Sequence, residues 1–200
     1  MDNKSLENES LQNVKSVLKF LNLVHELKYS VRRGWERRGV EGAETISGHM
    51  YAMAMMTFLL PNNSNLDRLK CLQLTVIHDL AECIVGDITP HDGIPEEEKH
   101  RREDEAMKDI CELVGGEQGQ LMQELYKEYE TKATPEAKFV KDLDRFDFIF
   151  TAFDLEKKRN KPREFQDFFD HMEGQFEHPL IQELVKGLNE ERNQYGTNSK

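Results

Sequence analysis

Residues 71–98 carry no lysine and no arginine, although several acidic side chains lie in and beside an apolar helix there. The helix reads CLQLTVIHDLAECIV, and it is apolar nearly all round, so the sequence predicts that it is buried. Its polar side chains His78, Asp79 and Glu82 are three and four residues apart, which places them on a shared helix face. An unpaired carboxylate in an apolar interior is costly. A divalent cation would compensate these charges, and any fold of this chain must meet that requirement.

The composition limits the classes of protein to which the chain can belong. Its 200 residues suit one domain, which we place over residues 1–200 with a helical core at about 14–193 and disordered ends. The net charge of -11 argues against a nucleic-acid polymer or an anionic membrane as the partner. The three cysteines form no CxxC pair and are typical of reduced thiols, and no apolar run is long enough to span a membrane. We therefore expect a cytoplasmic protein, with a nuclear location as the alternative.

The chain is predicted to be all-α, because helical periodicity recurs along it and strand-like alternation is not found. A first amphipathic helix spans Val14 to Leu27, and a long basic loop follows from Tyr29 to Thr45. Capping and helix-breaking residues delimit the later helices. These run from Ser47 to Leu60, from Asp67 to Val85, from Pro95 to Gly115, from there to about Lys132, from Pro135 to about Lys158, and over 163–173 and 179–193.

A metal site needs more ligands than the His78-Asp79 pair supplies. His49 is a candidate, because it is an isolated polar residue in the apolar run GHMYAMAMM. The sixth helix offers further carboxylates, and periodicity leaves the choice among them open, with Asp147 nearer than Asp144 to the centre of the apolar stripe. The candidates on this helix are Asp142, Asp144 and Asp147.

A second His-Asp pair shows how little the dipeptide means by itself. His91-Asp92 lies between Pro90 and Gly93, in a polar loop where nothing requires a metal. The pair at His78 differs, because it lies among apolar residues with a third acidic group one turn later. We therefore assign ligands to the first pair.

The basic loop supplies positive charge for an anionic substrate. A solvated charge run is the usual interpretation of such a segment, but beside an acidic metal site its arginines become candidate phosphate ligands. The only tryptophan of the chain, Trp35, either belongs to the core or packs against a sugar or a base. The arginines are Arg32, Arg33, Arg37 and Arg38.

The order His49, His78-Asp79 and Asp144 resembles the H…HD…D ligand set of the HD-domain metal-dependent phosphohydrolases. Within that superfamily, the chain is most similar to the eukaryotic 5′-deoxynucleotidases. The resemblance extends from about residue 17 to residue 192 and implies an HD-domain helical bundle. It is carried by the runs HDLAECIVGDI at 78–88, IPEEEKHRREDEAMK at 94–108 and EAKFVKDLD at 136–144.

This resemblance implies an activity and roles for the site residues. The activity is hydrolysis of deoxyribonucleoside 5′-monophosphates by a homodimer, with Mn²⁺, Co²⁺ or Mg²⁺ as cofactor and Fe²⁺ or Zn²⁺ as further options. Asp144, rather than Asp147, is implied as the last metal ligand. Glu82 is implied as the proton carrier, or as a ligand of a second metal together with Asp87 and the Ile88 carbonyl.

The resemblance also suggests substrate contacts. In bacterial relatives an arginine directly precedes the matching tryptophan and both contact the substrate, whereas glycine precedes Trp35 here. Arg32 and Arg33 are therefore both candidates for the phosphate. Trp35 is predicted to exclude a ribose 2′-hydroxyl, and Asp87 to contact the substrate. A further departure is Gly48, where the family usually has an acidic residue before the first histidine.

Two other functions remain open at this point. A triphosphohydrolase or a cyclic-nucleotide phosphodiesterase would use the same metal set, and the released product would discriminate between these enzymes. A helical protein that binds a metal or a nucleotide without turnover is the alternative from another class. The intact set of ligands and proton carrier argues against it.

Overall fold

The computed structural model describes the backbone of residues 3–198 and the side chains of residues 13–197. The predicted all-α class is confirmed, because the described residues form helices and turns without a β-strand. Short 3₁₀ turns lie at Thr57–Leu59 and Pro90–Asp92. The α-helices are α1 (Asn3–Glu26), α2 (Arg33–Arg37), α3 (Ile46–Met56), α4 (Arg68–Ile77), α5 (Glu82–Val85), α6 (Glu96–Val114), α7 (Gly116–Thr131), α8 (Pro135–Arg159), α9 (Gln166–Met172) and α10 (Pro179–Asn198).

Capping residues explain where α8 begins and ends. Thr134 Oγ1 accepts a hydrogen bond from the backbone N–H of Ala137 at 3.2 Å, and Pro135 occupies the first helical position. Proline suits that position because its missing N–H would have no partner in the helix anyway. At the other end Asn160 adopts the left-handed conformation with φ 51°, which closes the last turn. The predicted start of this helix at Pro135 is confirmed.

The predicted continuous helix from Asp67 to Val85 is wrong, because the structure breaks it at its centre. Helix α4 ends at Ile77 and α5 begins at Glu82. Between them the chain tightens, since the Glu82 N–H bonds to the Asp79 carbonyl, an i→i+3 bond, at 3.1 Å. A 3₁₀-like stretch within a helix often marks a functional hinge or local strain. His78 and Asp79 therefore project from a turn and not from a helix interior.

Residues 29–45, which we call the basic segment, contain a short helix and are closed at their base. Helix α2 occupies the middle of the segment, and an isolated antiparallel bridge joins its two ends. The backbone N–H of Arg32 also donates to the Glu44 carbonyl at 3.0 Å. The side chain of Trp35 is buried inside, with 1% of the residue exposed. The segment predicted as a loop is thus folded around its tryptophan.

Residue contacts divide the described chain into two compact units, of which the first comprises residues 3–51 and 76–130. In this unit α1, α5 and α6 pack on one another. A Cβ on Gly119 of α7 would lie 2.3 Å from the carbonyl oxygen of Cys111 on α6, so the close approach of these two helices requires glycine. One face of α6 is buried, with the spacing of an amphipathic helix. Its buried residues are Glu103, Ala106, Met107, Ile110 and Cys111.

The second unit comprises residues 52–75 and 131–198, and in it α8 packs against α9 and α10. A buried ion pair connects these helices. Arg192 of α10 is 2% exposed, and its Nε and Nη2 donate to the fully buried carboxylate of Glu156 at 2.8 and 2.7 Å. The guanidinium also lies 3.6 Å from the ring centroid of Phe169 on α9. One charged side chain of α10 therefore contacts both α8 and α9.

The helices at the two ends of the chain are longer than the sequence predicted. Helix α1 begins at Asn3, before the predicted start near residue 14, and α10 runs to Asn198, beyond the predicted end near 193. Disorder was predicted outside the core at 14–193, and of the residues concerned 1, 2, 199 and 200 lie outside the described residues. The single domain over residues 1–200 stays a prediction. Within residues 3–198, none of the helices has the length and hydropathy of a membrane span.

Candidate metal centre

Three side chains that can bind a metal converge in the first unit. His49 is carried by α3, while His78 and Asp79 come from the turn between α4 and α5. Asp79 Oδ2 lies 3.2 Å from Nε2 of His78 and 3.8 Å from Nε2 of His49. One potential ligand atom from each of the three residues lies within 4.8 Å of the other two. The structure thus brings together the first three residues of the predicted ligand set.

The burial and chemistry of this cluster fit a divalent cation. His49 and His78 are buried at 0% and 3% exposure, whereas the side chain of Asp79 is 22% exposed. Two imidazole nitrogens and a carboxylate oxygen form a mixed donor set that suits first-row divalent metals. Three protein ligands also leave coordination positions for water and substrate. The partly exposed carboxylate connects the otherwise buried cluster with solvent.

Aromatic packing restricts the rings of this cluster. The ring of His78 lies 5.0 Å from that of Tyr129 on α7, at an angle of 56°. It also lies edge-on to His49, at 5.4 Å and 67°. Tyr129 is itself buried, with 4% exposure, so it limits rotation of the His78 imidazole. No local sequence pattern points to Tyr129, because the contact joins segments that are far apart in the chain.

The arginines of the basic segment lie in two different environments. Arg32 is half-buried, and its Nη1 lies 3.7 Å from Oδ2 of Asp79. Arg33 has a side chain that is 48% exposed, and its Nη2 lies 3.5 Å from Oδ1 of Asp92, to which Arg37 also bonds. Of the two arginines predicted as phosphate ligands, Arg32 is therefore the one beside the metal-ligand cluster.

Asp87 acts on the backbone of the basic segment. Its Oδ2 accepts a hydrogen bond from the backbone N–H of Arg33 at 2.7 Å. This bond ties the loop after α5 to the first residue of α2. The neighbouring Ile88 is buried, at 6% exposure. The predicted roles of Asp87 in substrate contact, and of Asp87 and Ile88 in a second metal site, stay predictions.

Glu82, the first residue of α5, is 9% exposed. Burial raises the pKa of its carboxyl well above the usual range, and the negative charges of Asp79 and Asp87 raise it further. The positive charges of Arg32 and Lys99 oppose this shift. A carboxyl with a raised pKa exchanges its proton closer to neutral pH, as a general acid or base must. The raised pKa of Glu82 suits the proton carrier that the sequence predicts, and that role stays a prediction.

Glu103 on α6 is a second buried carboxyl, and no motif predicted it. It is 8% exposed, and burial raises its pKa, against the charge of Lys99, whose Nζ lies 3.6 Å away. A signal was present in the sequence, because Glu103 falls on the apolar stripe of its helix with Met107 and Ile110. An acidic residue at such a position indicates a buried carboxyl.

Trp35 lies beneath the basic segment and not on its surface. The residue is 1% exposed, and its Nε1 donates to Oε1 of Glu44 at 2.9 Å. Of the two environments predicted for Trp35, the core and the substrate site, the structure shows the core. Contact between Trp35 and a substrate stays a prediction.

A family model described as the HD domain matches residues 24–185. The matched range contains the three clustered residues and both of the carboxyls with raised pKa. The chain belongs to the HD-domain family. Of its two His-Asp pairs, His78-Asp79 is the one that lies in the cluster with His49.

Curated relatives match this HD domain over most of its length, and they confirm the resemblance to eukaryotic 5′-deoxynucleotidases. The chain is 49% identical over 177 residues to 5′-deoxynucleotidase HDDC2 of Mus musculus, covering 88% of each protein. It is 47% identical over 178 residues to the Homo sapiens protein of the same name, covering 89% of this chain and 87% of that one. It is 40% identical over 185 residues to 5′-deoxynucleotidase hdd1 of Schizosaccharomyces pombe, covering 90% and 92%.

Solved structures share the fold of this HD domain. HD domain-containing protein YGK1 superposes with a TM-score of 0.67 at 27% identity, covering 90% of this chain and 87% of that one. The PH0347 protein of Pyrococcus horikoshii superposes with a TM-score of 0.66 at 29% identity, covering 92% and 99%. The similarity therefore extends over nearly the whole HD domain.

The second His-Asp pair, His91-Asp92, lies in a loop, and Asp92 forms hydrogen bonds within that loop. Asp92 Oδ2 accepts hydrogen bonds from N–H and Oγ1 of Thr89 at 2.7 and 2.8 Å. These bonds lower the pKa of the Asp92 carboxyl to about 2. Arg33 and Arg37 contact its other oxygen. His91 is exposed, so it is Asp92 that stabilises the turn and forms ion pairs with the basic segment.

The carboxylates of α8 belong to the second unit of the HD domain and have different partners. Asp142 Oδ2 accepts two backbone N–H groups just before α10, each at 2.7 Å, and so fixes the approach to that helix. Asp144 Oδ2 lies 2.8 Å from Nζ of Lys141, and its side chain is 17% exposed. Asp147 is buried at 3% exposure. The assignment of Asp144 as the fourth ligand stays a prediction.

Proposed function

We propose that this HD domain is a metal-dependent 5′-deoxynucleotidase, which hydrolyses deoxyribonucleoside 5′-monophosphates to a deoxynucleoside and phosphate. The observation that carries this proposal is the position of Arg32 beside the buried His49, His78 and Asp79 cluster. An arginine next to a metal centre suits a phosphate ester. The names of the curated relatives supply the substrate class.

The metal would be held by His49, His78 and Asp79, with Asp144 as the fourth ligand. The first three are supported by their geometry, and Asp144 by the resemblance of the run at 136–144 to the family. Mn²⁺, Co²⁺ and Mg²⁺ are the proposed ions, with Fe²⁺ and Zn²⁺ as options. When bound, such a cation lowers the pKa of water and polarises the phosphate.

The side chains around the cluster bind the phosphate and transfer the proton. Arg32 neutralises and orients the phosphate, while Arg33 contributes through its backbone bond to Asp87. Glu82 carries the proton that hydrolysis transfers from the attacking water to the leaving 5′ oxygen. In a two-metal version, Glu82 and Asp87 would instead bind a second cation with the Ile88 carbonyl.

The proposed substrate size and cellular compartment follow from the net charge and the cysteines. The net charge of -11 favours a small nucleotide over a nucleic-acid polymer. All three cysteines are free thiols, which is typical of the cytoplasm. The homodimer rests on the family resemblance, and sedimentation of the purified protein would test it.

A hydrolysis screen tests the proposed function. We expect dAMP, dGMP, dCMP and dTMP all to release phosphate with Mn²⁺ or Co²⁺, because the basic segment offers no base-edge contacts. The ratio of kcat/KM for dAMP over AMP should be at least about tenfold, the scale on which a binding pocket discriminates small groups. Equal values for dAMP and AMP would contradict the deoxyribose preference. Release of triphosphate from a nucleoside triphosphate, or of a linear monophosphate from a cyclic one, would point to a different phosphohydrolase.

Glu82→Gln should lower kcat by about 10²-fold or more while the metal content stays unchanged, the usual effect of losing a positioned proton carrier. Glu103→Gln is the control matched for burial, because Glu103 is also a buried carboxyl with a raised pKa. Its kcat should stay near that of the wild type. Rates and metal content of both variants measure this. Equal losses in the two variants would contradict a specific role for Glu82, and loss confined to the affinity for a second metal would favour the two-metal version.

The fourth ligand can be identified with two variants of α8. Asp144→Ala should lose both the metal and turnover, whereas Asp147→Ala should retain the metal, because the run EAKFVKDLD, which carries the family resemblance on this helix, ends on Asp144. Elemental analysis of protein purified with Mn²⁺ measures the difference. The opposite pattern, with metal lost only from Asp147→Ala, would transfer the ligand assignment to Asp147.

A further inference from the structure

The carboxylate of Glu44 reaches several residues of the centre, although none of the roles above uses it. Its Oε1 accepts the Trp35 indole N–H at 2.9 Å and lies 3.9 Å from Nε of Arg32. One of its carboxylate oxygens lies within 4.8 Å of a ring nitrogen of His49. The Glu44 side chain is 21% exposed, so these contacts are partly shielded from water.

The backbone fixes Glu44 at a junction between the basic segment and α3. Its carbonyl accepts the N–H of Arg32 at 3.0 Å, and two residues later Ile46 N donates to the Ser30 carbonyl at 2.8 Å. Ile46 is the first residue of α3, which carries His49. The main chain of Glu44 therefore connects the segment with the phosphate arginine to the helix with the first metal ligand.

We infer that Glu44 is a positioning residue of the active site, which holds Arg32 in place for the phosphate and anchors Trp35. The inference rests on the proposed function for the identity of the phosphate. Arg32 lies between two carboxylates, with Asp79 Oδ2 3.7 Å from Nη1 and Glu44 Oε1 3.9 Å from Nε. Without the charge of Glu44, the attraction of Asp79 for the guanidinium is no longer balanced by a carboxylate beside Nε. Arg32 then moves toward the carboxylate of Asp79 and no longer binds the phosphate of the substrate.

Glu44 also has a second structural role, because it accepts a hydrogen bond from the indole of Trp35. A buried indole N–H needs an acceptor, because a donor left without one keeps its full desolvation cost. Glu44 provides that acceptor at 2.9 Å. The same carboxylate therefore anchors the aromatic ring beneath the basic segment and balances the arginine within it.

The two tasks can be separated by substitution. Glu44→Gln keeps an oxygen that accepts the indole N–H but removes the charge facing Arg32, and Glu44→Ala removes both. Glu41→Gln is the control, because Glu41 is an exposed acidic residue of the same segment. Trp35 is the only tryptophan, so the emission spectrum of the metal-free protein reports its environment directly. The kinetic measurement is KM and kcat for dAMP with Mn²⁺.

We expect both Glu44 variants to raise KM about tenfold, the scale of a charge-assisted contact, with a smaller change in kcat. Glu44→Ala should also shift the Trp35 emission, whereas Glu44→Gln and Glu41→Gln should keep the wild-type spectrum. A KM within about twofold of wild type in both Glu44 variants overturns the inference, even if Tm falls. If the wild-type protein hydrolyses no deoxynucleotide, the proposed function fails. The emission then decides the anchoring role alone, and an unchanged spectrum in Glu44→Ala overturns it.

Discussion

His78→Ala should lose its metal and lower kcat/KM by more than about 10³-fold, because a cation supplies several kcal/mol of charge stabilisation in phosphate hydrolysis. His78 provides one of the clustered nitrogens, and its ring is held by Tyr129. Asp79→Ala should behave in the same way. Elemental analysis of the purified variants and initial rates with dAMP measure both losses.

His91→Ala is the matched control, since His91 also precedes an aspartate but is exposed. It should keep the metal and the rate of the wild type. Chelation should lower Tm in the wild type and in His91→Ala, because the cation binds the folded state, and should leave Tm of His78→Ala unchanged. A His78→Ala protein with normal metal content would contradict the proposed centre.

Glu156→Ala should destabilise the protein by about 3–5 kcal/mol, the cost of leaving one partner of a buried ion pair unpaired. Arg192 would keep only its hydrogen bond to Gln166 at 3.0 Å and its contact with the Phe169 ring. The hydrogen bond that the N–H of Phe165 donates to Glu156 at 3.0 Å would also be lost. For a chain of this size, Tm should fall by about 6–20 °C, as thermal unfolding monitored by circular dichroism would record.

Glu191→Ala provides the comparison for Glu156→Ala. Glu191 also forms an ion pair between α8 and α10, with Lys157 at 3.3 Å, but its side chain is 63% exposed. Exposed pairs of this kind contribute about 0–1 kcal/mol, so Tm should change by no more than about 4 °C. A similar fall in Tm in the two variants would show that the contribution of the Glu156–Arg192 pair to stability does not depend on its burial.

Local patterns predicted the helical class and most of the metal cluster. The Thr134-Pro135 start of α8 could be identified because capping and the first helical turn depend on neighbouring residues. His49 and the His78-Asp79 pair stood out because each is polar within an apolar run. The choice of Asp144 over Asp147 came from the resemblance, since periodicity favoured neither clearly.

The sequence by itself therefore determined the all-α class and the residue types of the centre, because helix periodicity and misplaced polar residues are local signals. Only the tertiary structure separated Arg32 from Arg33, two adjacent residues of the same charge. Their environments depend on Asp79 and Asp92, which come from a distant part of the chain. The break before Glu82 and the contacts of Glu44, Tyr129 and Trp35 were decided in the same way. Such contacts arise when separate segments pack together, and their geometry leaves no periodic trace in the sequence.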